Sequence, residues 1–314
     1  MKKIFFSLNP PNTSYGGGAF FVTDLKIELE KTFEITFKLE PNIDLIFIID
    51  PRKGKFKKYS IDNFIEYKKN NKNTKLLYVV NECDIKREKS INIEPIITKT
   101  IKNCDSVVFI SEWLKNYFYK KYNNIRNIID KSIVINNACN LEYFYPNRNK
   151  SINKDIIKIV THHWSNDYNK GFYIYNKLNE LGKHIKFTYI GRYNKKCKIP
   201  KHVNYIEPMC GLELANELRK NDIYITASLY EPGGIHQLEG MACGLPILYR
   251  SNSGGIKETV KNAGKEFNDI KDLKDKLNNI INNYDDYKNN IDYNFLSSKR
   301  FTTEYLKLIN DIIK

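Results

Sequence analysis

The sequence predicts an α/β protein with two doubly wound parallel sheets, each in its own domain, that face each other across a cleft. Short apolar runs, which are typical of buried strands, alternate with helical stretches in both halves of the chain. A length of 314 residues fits two domains, and a hydrophobic content of 41% supplies two cores. Polar, asparagine-rich residues 140–155 indicate a linker and hinge. We therefore predict one domain over residues 1–145 and a second over residues 146–314.

Each half contains five strand candidates, recognised as short apolar runs between polar or turn-forming residues. In the first half they are Lys3–Leu8, Ile43–Ile49, Leu76–Val80, Ser106–Ile110 and Ile133–Ile135. In the second half they are Ile156–Thr161, Lys186–Ile190, Val203–Ile206, Ile223–Ala227 and Ile247–Tyr249. Residues 270–314 are predicted to be helical. Because ligands of doubly wound sheets bind beyond the carboxyl ends of the strands, the segments that follow the strands are the candidates for a functional site.

The first residues and the cysteines favour a cytoplasmic protein. The apolar run that begins at Ile4 is broken by Asn9, Pro10 and Pro11, which predicts a first strand instead of a secretory signal. The six cysteines include no Cys-x-x-Cys pair, so we expect reduced thiols and no disulfide frame or zinc site. No apolar stretch is long enough to predict a membrane span.

The net charge is +15, from 51 lysines and arginines against 36 acidic residues. A positive charge of this size would fit a protein that binds nucleic acid. The basic excess, however, is spread through both halves of the chain and forms no basic arm or helix. We therefore expect no nucleic-acid partner. A basic surface still favours anionic ligands and peripheral association with the acidic inner face of a membrane.

The most informative segment runs from Ser228 to Pro246 and places two carboxylates, Glu231 and Glu239, with seven residues between them. It follows the predicted strand Ile223–Ala227 and crosses the start of a helix. At ~1.5 Å rise per residue the carboxylates should lie about 10 to 12 Å apart. A glycosidase pair lies closer, at about 5 to 9.5 Å, so these two are predicted to hold different parts of one ligand.

The same helix is predicted to begin at Pro232, and Gly233 and Gly234 would leave its first amides open to an anionic or hydroxyl-rich ligand. Helical spacing turns one set of residues to a core and another to the cleft. The core set is Ile235, Leu238 and Ala242, and the cleft set is His236, Glu239 and Gly240. The alternative is that Glu231 only favours a helix start and Glu239 is a solvated helix residue.

This segment resembles the Glu-x7-Glu signature of the family 4 glycosyltransferases, which have the GT-B fold. Other segments follow in the order of that family: Gly16–Gly18, Val107–Trp113, Val134–Asn140, Lys170–Gly171, Tyr189–Arg192 and Ser253–Glu258. The resemblance implies two Rossmann-like domains, the first binding the acceptor and the second binding a nucleotide sugar. It also implies that the final helix packs back on the first domain.

The activity implied is hexosyl transfer, with retention of configuration, from a nucleotide-diphosphate sugar such as a UDP- or GDP-sugar. The acceptor would be a glycan, as in polysaccharide biosynthesis, a lipid-linked saccharide, a protein or a small molecule. By resemblance, Glu231 binds hydroxyls of the donor sugar, Glu239 binds the ribose, and Lys170 stabilises the charge of the leaving diphosphate. The chain has no Asp-x-Asp triplet, so we expect no metal and no cofactor, with Lys170 and helix amides in the metal's place.

The remaining candidate residues belong to two predicted regions, the donor site and an acceptor or phosphate loop. The donor site is predicted to include Gly233, Gly234, Ile235, His236, Arg192 and Trp164, and the acceptor or phosphate loop Gly16, Gly17, Gly18, Asn81 and Glu82. Trp164 stands where the family has a phosphate-binding arginine, and His162, His163 or Arg192 could compensate. Val80 stands where many members have a histidine, so Asn81 and Glu82 either face the acceptor or form a plain loop. The glycines at 16 to 18 equally fit an ordinary turn.

Two other functions compete with transfer. One is a non-catalytic module that binds a sugar nucleotide or nucleic acid, which the missing arginine and histidine make plausible. The other is a sugar-nucleotide epimerase on the same two-domain frame. Release of free nucleoside diphosphate from a nucleotide sugar separates catalysis from binding.

Overall fold

The computed structural model describes residues 1–10, 17–148 and 150–314. Its contacts divide the chain into two compact units. The first unit contains Met1–Asp84, Ser90–Asn137 and Lys299–Lys314. The second unit contains Ile85–Lys89 and Ala138–Ser298. Two α/β units with parallel sheets confirm the predicted fold class.

The first unit is built on a six-stranded sheet in which all neighbours are parallel. Its strands are β1 Lys3–Phe6, β2 Glu34–Thr36, β3 Leu45–Ile48, β4 Lys75–Val80, β5 Ser106–Phe109 and β6 Ile133–Val134, in the order β2-β1-β3-β4-β5-β6. Its helices are α1 Gly17–Leu29, α2 Ile61–Asn70, α3 Glu94–Asn103, α4 Glu112–Lys121 and α5 Arg126–Ile129. The sequence missed β2, which is a short edge strand with no fully buried residue.

Local capping explains where two of these helices begin. Helix α2 follows Ser60, whose backbone amide donates to Asn63 Oδ1 at 3.0 Å in a capping box. Helix α4 follows Ser111, whose Oγ accepts a hydrogen bond from the Leu114 amide at 3.0 Å. Both helices therefore start directly after the loops that leave the sheet.

A buried carboxylate ties α3 to α4 in the first unit. Glu94 is 1% exposed and accepts hydrogen bonds from Lys121 Nζ at 2.6 Å, Tyr117 at 2.7 Å, the Asp84 amide at 2.9 Å and the Tyr122 hydroxyl. Burial by itself raises the pKa of Glu94, but hydrogen bonds from Lys121 and Tyr122 outweigh it and hold the pKa below 4.5. The carboxylate is therefore ionised at neutral pH.

We expect Glu94→Gln to destabilise the protein by about 1.5–3 kcal/mol at neutral pH, because the charged acceptor of these donors is lost. The folded pKa is lowered, so this stabilisation is present above the unfolded value of 4.5 and is lost as the pH falls through the folded pKa. Urea unfolding should show the difference from the wild type shrinking below pH 4.5. Glu66→Gln, at an exposed site on α2, is the control; an equal loss in both variants would contradict the assignment.

The second unit repeats the architecture with a second six-stranded parallel sheet. Its strands are β7 Ile157–His163, β8 Ile185–Gly191, β9 Val203–Ile206, β10 Ile223–Thr226, β11 Ile247–Arg250 and β12 Gly264–Phe267, in the order β12-β11-β10-β7-β8-β9. Its helices are α6 Phe172–Tyr175, α7 Gly211–Arg219, α8 His236–Ala242, α9 Ile256–Val260, α10 Ile270–Asn282, α11 Tyr284–Asn289 and α12 Tyr293–Leu296. The missed strand is again an edge strand, β12.

The strand order of the second sheet reverses between β7 and β10, which are neighbours although three strands apart in the chain order. Parallel sheets of this kind bind ligands at such a switch point, beyond the carboxyl ends of the two strands. Strand β7 ends at His163 and β10 ends at Thr226. The segments that follow these two residues are therefore the candidates for a ligand-binding site.

Each unit is made of more than one stretch of the chain, so no single residue divides them. In the predicted linker region the first unit ends at Asn137, earlier than the predicted boundary at residue 145. The reason is that the Cys139 amide donates to Leu296 O at 2.9 Å and Phe144 is buried in the core of the second unit. The final helix, α13 Ser298–Ile312, lies mostly in the first unit, where the Phe301 ring packs 5.0 Å from the Phe21 ring.

Within the residues that the structure describes, every helix is too short or too polar to cross a membrane.

Candidate functional site

The loop after β7 is held against the end of β10 by a glycine. Gly171 has φ +101°, and a Cβ atom at this position would lie 2.3 Å from the Ala227 Cβ atom. Only glycine allows this approach in this backbone conformation. The preceding turn, Tyr168–Lys170, begins at Asp167, whose carboxylate accepts a hydrogen bond from the Asn169 amide at 3.0 Å. These contacts place Lys170 next to the carboxyl end of β10.

Lys170 meets Glu231, the first carboxylate of the Glu-x7-Glu segment. The Lys170 ammonium donates to Glu231 Oε2, and Lys86 Nζ lies 3.3 Å from Glu231 Oε1. Glu231 is 5% exposed, and the side chains of Lys170 and Lys86 are 12% and 18% exposed. We call these three residues the Glu231 cluster. It holds two ammonium groups on one carboxylate, so it carries a positive charge.

The charges in this cluster shift each other's pKa values. Burial by itself raises the pKa of Glu231, but Lys170 and Lys86 together hold it well below its usual range. Burial lowers the pKa of Lys170 from its ordinary value, which the Glu231 charge opposes. Glu231 is therefore a carboxylate at neutral pH and has no proton to give as a general acid.

The backbone of Glu231 is fixed by the turn after β11. Its amide donates to Ser253 O at 3.1 Å, and its carbonyl accepts from the Gly255 amide at 2.9 Å. Gly254 has φ +76°, and a Cβ atom there would lie 2.4 Å from Glu231 O. Gly254 therefore makes room for the Glu231 backbone.

The second carboxylate, Glu239, is half-buried on α8 and contacts β7. Its Oε2 lies 2.7 Å from His162 Nε2, and His162 Nδ1 lies 3.1 Å from the Tyr224 hydroxyl. The Tyr224 hydroxyl also contacts the His162 backbone amide at 3.2 Å. This chain of contacts fixes the orientation of the Glu239 carboxylate.

Two further histidines lie beside the Glu231 cluster. His163 Nε2 is 2.9 Å from the Tyr175 hydroxyl, and His236 Nε2 is 3.0 Å from Thr226 Oγ1. Burial lowers the pKa of both rings well below 6.5, so both are neutral at physiological pH. Among the described residues, no group of three histidine, cysteine or acidic side chains is arranged to hold a metal ion.

The helix prediction for this region was wrong in three details. Helix α8 begins at His236, so Pro232 is not its first residue and Gly233 and Gly234 lie in the turn before it. Ile235 is half-buried outside the core. Gly240 does not line a cleft, because a Cβ atom there would lie 2.5 Å from the Tyr224 ring. The predicted burial of Leu238 and Ala242 is confirmed.

Trp164 and Arg192, predicted at the donor site, contact each other. The Arg192 guanidinium lies 4.0 Å from the centre of the Trp164 ring in a cation–π contact. Arg192 is exposed and follows β8, where Gly191 has φ +121° and passes against the His163 carbonyl. The two side chains therefore lie against each other in the segments that follow β7 and β8.

The predicted acceptor-loop residues lie in the first unit. Asn81 Nδ2 donates to Ile49 O at 3.2 Å, which is a bond within the loops that follow β3 and β4. Glu82 is half-buried next to it. Gly17 and Gly18 start α1, and Gly16 lies outside the described residues.

Lys86 was missed by the sequence analysis. It stands two residues after Asp84, in the loop after β4 that was considered only for acceptor contacts. The adjacent basic pair Lys86-Arg87 was the available signal, but in a chain with 51 lysines and arginines such a pair is weak.

Comparison with known proteins supports the fold and the domain type. The family model described as "Glycosyl transferases group 1" matches residues 181–295. An uncharacterized glycosyltransferase of Methanocaldococcus jannaschii is 24% identical over 203 residues, which cover 58% of this chain and 51% of that protein. The chain therefore spans about half the length of this curated relative.

Solved structures are similar over nearly the whole chain. Sucrose-phosphate synthase from Thermosynechococcus elongatus has a TM-score of 0.74 at 13% identity, with 99% of each chain covered. Anabaena HepE in complex with UDP-glucose has a TM-score of 0.72 at 13% identity, covering 99% of this chain and 100% of HepE. The chain therefore has the fold of the GT-B glycosyltransferases, with a match to the group 1 glycosyl transferases over residues 181–295.

Proposed function

We propose that this protein is a retaining glycosyltransferase of family 4 that moves a hexosyl group from a nucleotide-diphosphate sugar to a glycan or lipid-linked acceptor. The observation that carries the proposal is the Glu231 cluster, which lies after the carboxyl ends of β7 and β10 at the switch point of the second sheet. A positively charged, largely buried cluster at this position suits a diphosphate joined to a polyhydroxylated sugar.

Lys170 is assigned to the diphosphate. As the bond between the anomeric carbon and the leaving oxygen breaks, the leaving group gains negative charge. A fixed ammonium stabilises that charge more in the transition state than in the ground state, which accelerates the reaction. The desolvation that lowers the pKa of Lys170 also strengthens its interaction with an anion.

Glu231 is assigned to hydroxyl groups of the donor sugar. Its carboxylate is ionised and already bonded to an ammonium, so it suits the acceptance of hydroxyl hydrogen bonds better than nucleophilic attack or proton donation. We propose that the acceptor oxygen bonds to the anomeric carbon on the face that the diphosphate leaves. The acceptor's hydroxyl proton passes to the departing phosphate oxygen, which balances the reaction without a covalent intermediate.

Glu239 is assigned to the ribose of the nucleotide. Its contact with His162 holds the carboxylate in one orientation, as a bidentate bond to vicinal hydroxyls requires. Anabaena HepE, which shares the fold, forms a complex with UDP-glucose, and this supports a UDP-sugar as the first donor to test. We propose that the reaction is metal-independent, with lysines acting on the diphosphate. We also propose a cytoplasmic location, at the inner membrane face for a lipid-linked acceptor.

The test is incubation with a panel of UDP- and GDP-sugars in the presence of EDTA, followed by measurement of free nucleoside diphosphate and of the remaining donor. Slow donor hydrolysis that releases nucleoside diphosphate is expected even without the natural acceptor. Conversion of the donor to another nucleotide sugar would instead identify an epimerase. Binding without any release, also with a mixture of glycan acceptors added, would identify a binding module and overturn the proposal.

A further inference from the structure

We propose that Lys86 is a second cation that binds the donor diphosphate together with Lys170. Lys86 lies outside residues 181–295, which the family model matches. The inference rests on the proposed function and names a further ligand-binding residue for it. It starts from the position of the Lys86 ammonium, which meets the Lys170 ammonium at the Glu231 carboxylate.

The backbone of Lys86 is fixed beside the turn that carries Lys170. Asn169, the residue before Lys170, donates from Nδ2 to the Lys86 carbonyl at 3.3 Å. Asp167 Oδ1 accepts from the Asn169 amide at 3.0 Å and from the Glu88 amide at 3.2 Å. One carboxylate oxygen therefore anchors both lysine-bearing segments, and the two ammonium groups meet at the Glu231 carboxylate.

The charge balance of the pair favours an anionic ligand. The single charge of Glu231 is shared by two ammonium groups, and the nearby rings of His163 and His236 are neutral at physiological pH. Both ammonium groups are largely withdrawn from water, at 12% and 18% exposure, so their attraction for an anion that enters beside them is weakly screened by solvent. A diphosphate adds negative charge beside both lysines.

The contact geometry indicates which ammonium can turn to the ligand. Lys170 makes the closer contact with Glu231, whereas Lys86 stands 3.3 Å from the other oxygen and is the more exposed of the two. A shift of the Lys86 side chain toward a diphosphate would release Glu231 Oε1 for a sugar hydroxyl. Donor binding would thereby prepare the carboxylate for its own role.

The test compares Lys86→Met with Lys89→Met, an exposed lysine of the same segment that serves as the control. Calorimetry would measure the binding of UDP and GDP against uridine and guanosine. We expect Lys86→Met to weaken nucleoside diphosphate binding by about 10- to 100-fold, the range for hydrogen bonds to charged groups, with nucleoside binding and melting temperature unchanged. Lys86→Arg should restore part of the affinity, and Lys89→Met should bind like the wild type.

Two outcomes would overturn the inference, and they differ from failure of the proposed function. Equal diphosphate affinity in Lys86→Met and wild type would show that Lys86 does not bind the ligand. A lower melting temperature with equal losses for nucleosides and nucleoside diphosphates would show a structural ion pair. If the wild type binds neither UDP nor GDP, the proposed function itself fails.

Discussion

The Glu231→Gln variant is expected to lose about 10³-fold in kcat while its affinity for UDP or GDP does not fall. Glutamine keeps the shape of the side chain but removes the charge that Lys170 and Lys86 now share. The donor sugar would lose a charged acceptor for its hydroxyls, whereas the diphosphate would face two ammonium groups without a competing carboxylate. Rates of nucleoside diphosphate release and calorimetric binding constants measure the two effects separately.

The control for this variant is Glu213→Gln, at an exposed position of α7. It removes one negative charge from the second unit without touching the Glu231 cluster, so it should keep wild-type kcat. Full turnover by Glu231→Gln would remove Glu231 from the reaction. A parallel loss of kcat and of UDP or GDP affinity would show that the variant disturbs the whole site instead of one contact.

The strands that hold the site were predictable because buried parallel strands form nearly continuous apolar runs. Strands β7 and β10 are of this kind, and the rule that ligands bind after their carboxyl ends needed no side-chain detail. Strands β2 and β12 were not predictable, since each is a short edge strand with residues of mixed polarity. Their pairing depends on a sheet that other segments have already formed.

The site was predictable only where its residues belong to a local motif. Glu231 and Lys170 stand in segments that the resemblance marks, and the fold brings them into contact. Lys86 could not be predicted, because its position depends on Asp167 and Asn169, which lie far away in the chain. Gly240 and Gly254 show a related limit: sequence marks where a Cβ atom is missing but not which neighbour occupies the space.

The Lys170→Met variant is expected to lose about 10²- to 10³-fold in kcat, because the leaving diphosphate would be stabilised by a single remaining lysine of the cluster. Its second effect is on Glu231. Lys170 is the largest of the charges that lower the pKa of Glu231, so burial should raise that pKa in the variant and activity should fall as the pH is lowered. Lys201→Met, at an exposed loop position, controls for the loss of one positive charge.

Because Lys170 and Glu231 are in direct contact, their effects should not add. The double variant Lys170→Met/Glu231→Gln should lose much less in kcat than the product of the single losses, since either single change already disrupts the same shared charge cluster. The double variant should melt at a higher temperature than Glu231→Gln, because Glu231→Gln leaves two neighbouring ammonium groups without the carboxylate, whereas the double variant leaves one. Strictly multiplicative losses in kcat would mean that the two residues act independently, which would contradict the cluster as the unit that performs the reaction.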